Sequence, residues 1–206
     1  MEDDDLEEAL YARMRWNAPL SAEHAELLMD RLDVRPGARV ADLGCGWGEL
    51  LLRLIARADQ ATGTGVDTDA AALNRAKRLA AERHLDRRVQ FTKADVTDWN
   101  GTADRVLHIG ASHALGGTAS ALDALSKIVP ADGRLLFGDG YWETAPSAPA
   151  TELFGQQVLP LAGLLEACRS AGWRVIHLSV ASHASERRYV EVYRGVLGFA
   201  YLVLAH

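Results

Sequence analysis

Cysteine is scarce in this chain: Cys45 and Cys168 are the two present in 206 residues, and they show no metal-ligand spacing. A disulfide framework is therefore not expected, and reduced thiols fit a cytosolic protein. Long apolar runs are missing as well. The longest, Val196 to Ala205, is broken by Gly198 and falls short of the roughly 20 residues that a bilayer-spanning helix requires. Clustered basic charge is a third absence. The 22 Lys and Arg are outnumbered by 28 Asp and Glu, and the net charge is −6. The basic residues are scattered, with short pairs at Arg87-Arg88 and Arg187-Arg188, whereas neutralising many phosphates takes a basic patch. Nucleic acid is not an expected partner, and neither is a membrane. The first residues, Met1-Glu2-Asp3-Asp4-Asp5, are acidic and lack the positive region of a secretory signal, so the expected location is cytoplasmic.

Hydrophobic residues make up 49% of the chain and charged residues 24%, an ordinary globular balance with enough apolar material for one α/β core. Short β-branched runs alternate with helical patterns. Arg39–Leu43, Thr62–Val66, Val89–Thr92, Asp104–Ile109, Arg134–Gly138, Arg174–Val180 and Phe199–Ala205 are expected strands. Trp47–Ala58, Asp69–His84, Ala119–Val129 and Pro160–Ala171 carry apolar residues at helical spacing, with Asp69 as N-cap. Leu6 to Leu32 is expected to hold one or two helices, and Ala145 to Pro149 a loop. The β-α-β-α rhythm predicts a parallel sheet covered by helices on both faces. No internal repeat is present.

The most informative segment is Val40-Ala41-Asp42-Leu43-Gly44-Cys45-Gly46-Trp47-Gly48-Glu49-Leu50. A strand ends, glycines turn the chain, and a helix begins. Glycines there permit positive φ and close approach of a ligand, and the helix start presents amides. A dinucleotide-binding loop spaces its glycines G-x-G-x-x-G around a pyrophosphate. Here the spacing is G-x-G-x-G, with Asp42 two residues ahead of the first glycine. A carboxylate there repels a pyrophosphate and suits a cationic amino group.

The segment Asp42 to Gly48 resembles the first motif of class I S-adenosylmethionine-dependent methyltransferases. Further landmarks of that family follow in order: Gly65-Val66-Asp67-Thr68, then Lys93-Ala94-Asp95-Val96, then Ile109-Gly110. Two stretches, His108 to Gly117 and Tyr193 to Phe199, are similar to a bacterial small-molecule subgroup of the family. That subgroup carries a longer helical segment where Ala181 to Arg188 stands here. The resemblance implies a Rossmann-like α/β fold: a mostly parallel seven-stranded sheet with an antiparallel C-terminal strand and helices on both faces. It implies an N-terminal helical cap over residues 1–34 and a cofactor-binding domain over residues 35–206. It also implies S-adenosyl-L-methionine as cofactor, held by Asp42, Gly44, Cys45, Gly46, Trp47, Gly48, Asp67, Thr68, Asp95, Val96, Ile109 and Gly110. Within that set, Asp67 would bond the ribose hydroxyls and Asp95 with Val96 the adenine.

Methyl transfer from a sulfonium is an in-line displacement whose leaving group is already activated, so the protein chiefly aligns the reactants and excludes water. A base helps when the acceptor must lose a proton. His113, just beyond the fourth strand, is the candidate catalytic base; a role in packing or capping its loop is the alternative. Trp16, Ser112, His113, Tyr141 and Trp142 are candidate acceptor-binding residues, with Tyr11 and Glu143 nearby in the same reading. Trp99 is a candidate cover for the adenine or a core residue. The remaining histidines show no ligand spacing, and no metal is expected. The expected partner is a small-molecule acceptor, with a monomer or homodimer left open. Two alternatives stand beside this reading: a non-catalytic cofactor-binding protein and a nicotinamide-dependent oxidoreductase.

Overall fold

The computed structural model describes residues 14–154, 157–181 and 196–206. Its first helix, α1 (Ala22–Leu32), is capped by Ser21, whose Oγ accepts from the His24 amide at 3.1 Å, as a serine at that position favours. Strands and helices then alternate: β1 (Arg39–Leu43), α2 (Glu49–Arg57), β2 (Thr62–Asp67), α3 (Ala70–Glu82) and β3 (Val89–Lys93). Asp69 caps α3 by accepting from the Ala71 and Ala72 amides. A 3₁₀ turn (Val96–Asp98) leads to β4 (Arg105–Ile109), and another (Ser112–Leu115) to α4 (Thr118–Ile128). The chain continues through β5 (Arg134–Trp142), α5 (Ala148–Phe154), β6 (Leu159–Pro160), α6 (Leu161–Ser170), β7 (Arg174–Val180) and β8 (Leu197–Ala205).

The sheet has the order β3-β2-β1-β4-β5-β8-β7, and β6 adds two residues beside the end of β5. The strands from β1 to β5 pair in parallel, while β8 runs antiparallel to both β5 and β7. This is the mostly parallel Rossmann-like arrangement with an antiparallel C-terminal strand. One face packs α1, α2 and α3 through residues such as Leu28, Leu32, Leu51, Ile55, Leu73 and Tyr201. The other packs α4 and α6 through Leu122, Leu125, Phe137, Leu164 and Leu202. All nine residues of β8 are buried, because it lies between two strands and beneath both layers, so it reads as a continuous apolar run rather than an alternating one.

Three elements differ from the expectations. The fifth strand does not stop at Gly138 but runs through Trp142, paired residue by residue with β8. Gly138 looks like a strand breaker, yet a Cβ there would lie about 3 Å from Ile109, Phe199 and Tyr201; the glycine serves close packing. Residues expected as a loop near Ala145 to Pro149 lead into α5, and among the described residues the two-residue β6 joins the seven strands of the main path as an eighth. Among the described residues of the N-terminal part, Ala22–Leu32 alone is helical; the expectation for residues 6–13 lies outside the described residues, as does the segment after Ala181.

The chain steps outward from β1 through β2 to β3, then returns to the other side of β1 as β4 and β5. The reversal between β1 and β4 opens a crevice at the carboxyl ends of the strands, the place where open α/β sheets bind ligands.

Candidate functional site

The site is assembled from four strand ends. At the end of β1 the chain turns through Gly44 and Gly48, both with φ in the left-handed region (83° and 66°). The room at Gly44 is also spent: a Cβ there would stand 2.4 Å from the Ala111 Cβ. The turn is pinned from β2, because the Gly44 and Cys45 amides both donate to the Val66 carbonyl, at 2.8 and 3.0 Å. Gly48 starts α2 beneath the ring of Phe91. The first acid of that helix, Glu49, is buried and answered twice, by Arg53 at 2.8 Å and Arg83 at 2.6 Å.

Asp67 closes β2 and reaches back to the glycine turn. One carboxylate oxygen accepts from the Gly46 amide at 2.7 Å and the other from the Asp69 amide at 2.9 Å. Each oxygen keeps a second lone pair, so the group is oriented without being saturated. Asp95 follows β3 and accepts from the Thr97 amide and hydroxyl at 2.8 and 2.7 Å. Those bonds, the amide one foremost, hold its carboxyl below the usual range. Asp42 is different. It is 6% exposed, and no hydrogen bond or ion pair reaches its carboxylate among the described residues. Burial first, and then the neighbouring Asp67, push its pKa up to about 8. The Cys45 thiol is raised for the same reasons, burial ahead of the two acids.

These strand ends surround a cavity of about 1090 Å³. Of the residues singled out in the sequence, Gly44, Gly46, Trp47, Asp67, Thr68, Asp95, Val96, Ile109, Gly110 and His113 line it. Asp42, Cys45 and Gly48 lie beneath the lining rather than in it. His113 is exposed, on the 3₁₀ turn after β4. Behind it, the buried His108 donates from Nδ1 to the Leu43 carbonyl at 2.8 Å, tying β4 to the end of β1, and burial lowers its pKa.

The structure does not bring the other proposed acceptor residues to this cavity. Tyr141 and Trp142 are buried within β5, opposite Gly198 and Leu197 of β8; they were expected on a loop, and the longer strand turns their side chains into the packing instead. The Tyr141 hydroxyl donates to Glu143 at 3.3 Å. Trp16 is buried under the Arg53 guanidinium, 4.9 Å from its ring. Ser112 is half-buried and outside the lining. Trp99 packs against the core beneath α4, and Tyr11 lies outside the described residues.

Sequence reasoning missed a wall of α3. Ala71, Ala72, Asn74, Arg75 and Arg78 line the cavity. Their helical spacing is legible, but it forms a second stripe beside the core stripe of Leu73, Ala76 and Ala80, and a polar stripe reads as a solvated face. Asn17 of the N-terminal segment lines the cavity as well. Among the described residues, no group of three or more His, Cys, Asp or Glu side chains is placed to hold a metal, and no helix is long and apolar enough to cross a membrane.

With this geometry in hand, four similarities to known proteins are informative. Residues 12–145 match the family model of mycolic acid cyclopropane synthetase. The chain is 32% identical to the uncharacterized protein YjhP of Escherichia coli K12 over 185 residues, 85% of this chain and 73% of the relative. It is 30% identical to the S-adenosylmethionine-dependent methyltransferase UmaA of Mycobacterium tuberculosis, over 66% of this chain but 44% of that protein. In structure it is similar to an S-adenosylmethionine-dependent methyltransferase of Geobacter sulfurreducens crystallised with S-adenosyl-L-homocysteine, with a TM-score of 0.84, 23% identity and 94% coverage of both chains.

Proposed function

The chain belongs to the mycolic acid cyclopropane synthetase family of S-adenosylmethionine-dependent methyltransferases, and from that membership we propose that the cavity at its strand ends holds S-adenosylmethionine beside a small-molecule acceptor. The observation that supports the site most is convergence: residues from the ends of β1, β2, β3 and β4 meet around one space. Ligand pockets run about 300–1,000 Å³, so the volume accommodates the cofactor together with a small acceptor.

In this reading Asp67 accepts from the ribose hydroxyls with the lone pairs left by Gly46 and Asp69, and Asp95 and Val96 meet the adenine. Asp42, whose carboxyl burial and Asp67 hold largely protonated in the empty site, ionises as the ammonium and sulfonium enter, and its charge then favours those cations over a phosphate. His113 stands on the acceptor side and takes a proton when the nucleophile carries one. Bound there, S-adenosylmethionine would supply an activated methyl group to an N, O, S or C nucleophile, with S-adenosylhomocysteine as the leaving group. The chain spans under half of UmaA's length, so that protein's acceptor is not carried over. A cytoplasmic location and a monomeric or homodimeric state belong to the same proposal, as does the absence of nucleic acid among its partners, which the net charge of −6 supports.

The test is transfer of labelled methyl from S-adenosylmethionine to members of a metabolite panel. Transfer is expected, and His113→Ala is expected to slow it by about a hundredfold, the lower range for a general base, while leaving cofactor affinity within twofold. Cofactor binding without transfer to any acceptor would favour a non-catalytic binding protein. A full rate in the variant would remove His113 as base.

A further inference from the structure

Residues 14–20 form neither helix nor strand, and Asn17 among them lines the cavity, so no ladder of backbone bonds holds them. Side chains do that work instead. Arg75 Nη2 donates to the Met14 carbonyl at 2.6 Å, and Trp47 Nε1 donates to the next carbonyl, that of Arg15, at 2.9 Å. The two donors also meet each other, the Arg75 guanidinium carbon lying 4.1 Å from the centroid of the Trp47 ring. Further along, the Asn17 amide rests against Gly46, whose added Cβ would come within 2.8 Å of it, and the Tyr201 hydroxyl donates to the Pro19 carbonyl at 3.2 Å. Asn17, Trp47 and Arg75 all line the cavity.

We propose that Arg75 is a positioning residue for the reaction: it latches residues 14–17 across the cavity by bonding the Met14 carbonyl while stacked on Trp47, and so retains the cofactor beneath that strap. A guanidinium suits the task because its planar fork stacks on an indole and still donates in its own plane, which an ammonium does not do. Arg75 is half-buried, and burial, followed by the neighbouring Arg78, lowers its pKa. Arg75 acts on Met14 and Trp47, not on the reacting atoms. The inference rests on the reading of the cavity as the cofactor site.

The experiment compares wild type, Arg75→Ala and Arg75→Lys by calorimetric titration with S-adenosylhomocysteine and by amide hydrogen exchange with and without it. Losing one charge-assisted bond and its stacked partner predicts at least about tenfold weaker binding for Arg75→Ala, with Arg75→Lys impaired too. Exchange is expected to rise at residues 14–20 while α1 and β1 keep their protection. Wild-type affinity and unchanged exchange at residues 14–20 in both variants would overturn the proposal. So would an equal loss of protection in α1, β1 and the strap, which would make Arg75 a general stabilising residue. A wild-type protein that binds no S-adenosylhomocysteine would instead remove the functional reading itself.

Discussion

The two ends of the parallel strands treat buried charge in opposite ways. At the amino end, Arg105 is 5% exposed and thoroughly answered. Its guanidinium donates to the Leu32 carbonyl at 2.8 Å, to the Asp33 carbonyl at 3.0 Å and to the Asp104 carbonyl at 2.7 Å, with the Asp33 carboxylate 3.8 Å away. It fastens the C-terminal end of α1 to the sheet and satisfies carbonyls that a helix end leaves open. At the carboxyl end, Asp42 is as deeply placed and meets no hydrogen bond among the described residues, while the pKa of its carboxyl stands near 8. A satisfied buried charge marks architecture; an unsatisfied one beside a cavity marks a place prepared for a counter-charge.

Three substitutions sharpen or break that contrast. Asp67→Ala carries the largest expected effect. It removes both proposed ribose bonds and the anchor of the Gly46 amide, each charge-assisted bond being worth about 1.5–3 kcal/mol. Cofactor affinity measured by calorimetry should fall at least a hundredfold; an unchanged dissociation constant would remove the assignment. Arg105→Ala comes next. Breaking a buried, paired charge costs roughly 3 kcal/mol or more, so chemical denaturation should show that loss while affinity for S-adenosylhomocysteine in the folded protein stays within twofold. Loss of affinity without loss of stability would erase the division between the two ends.

Asp42→Asn carries the smallest expected loss and the most telling sign. Burial raises the folded-state pKa of Asp42 to about 8, well above its unfolded value near 4. The stability tied to its protonated form is therefore complete below about pH 4 and is lost as pH rises through 8. The stability of Asp42→Asn relative to wild type should climb between pH 5 and pH 9, while its affinity for the cationic cofactor drops about tenfold, one nearby charge being worth on the order of 1–2 kcal/mol. A pH-independent difference in stability would show that Asp42 is ionised at no energetic cost.

The contrast also explains what was legible in the sequence. β1 and β4 are short, mainly apolar runs followed by glycine, and β2, with its threonines and Val66, closes on Asp67, so their ends, and the turn from Gly44 to Gly48, could be placed from residue type. The extension of β5 was not legible, because Gly138 reads as a breaker until Phe199 and Tyr201 of β8, some sixty residues away in sequence, are seen to need the space. Tyr141 and Trp142 were assigned to the acceptor for the same reason: an aromatic pair after glycines looks like a loop wall when the strand beside it is unknown. Arg75 escaped notice because its partners, Met14 and Trp47, lie far from it in sequence, and a lone arginine on a helix is ordinarily solvated. Asp42 was legible because the loop chemistry is local: an acid two residues before a glycine turn disfavours a phosphate wherever it occurs.

The central claim is that this turn is prepared for a cation. Calorimetric titration of the purified protein with S-adenosylmethionine, S-adenosylhomocysteine and a nicotinamide dinucleotide tests it most directly. Saturable heat with the first two and none with the dinucleotide is the predicted result. A clear isotherm with the pyrophosphate-bearing ligand and silence with the sulfur nucleosides would contradict it.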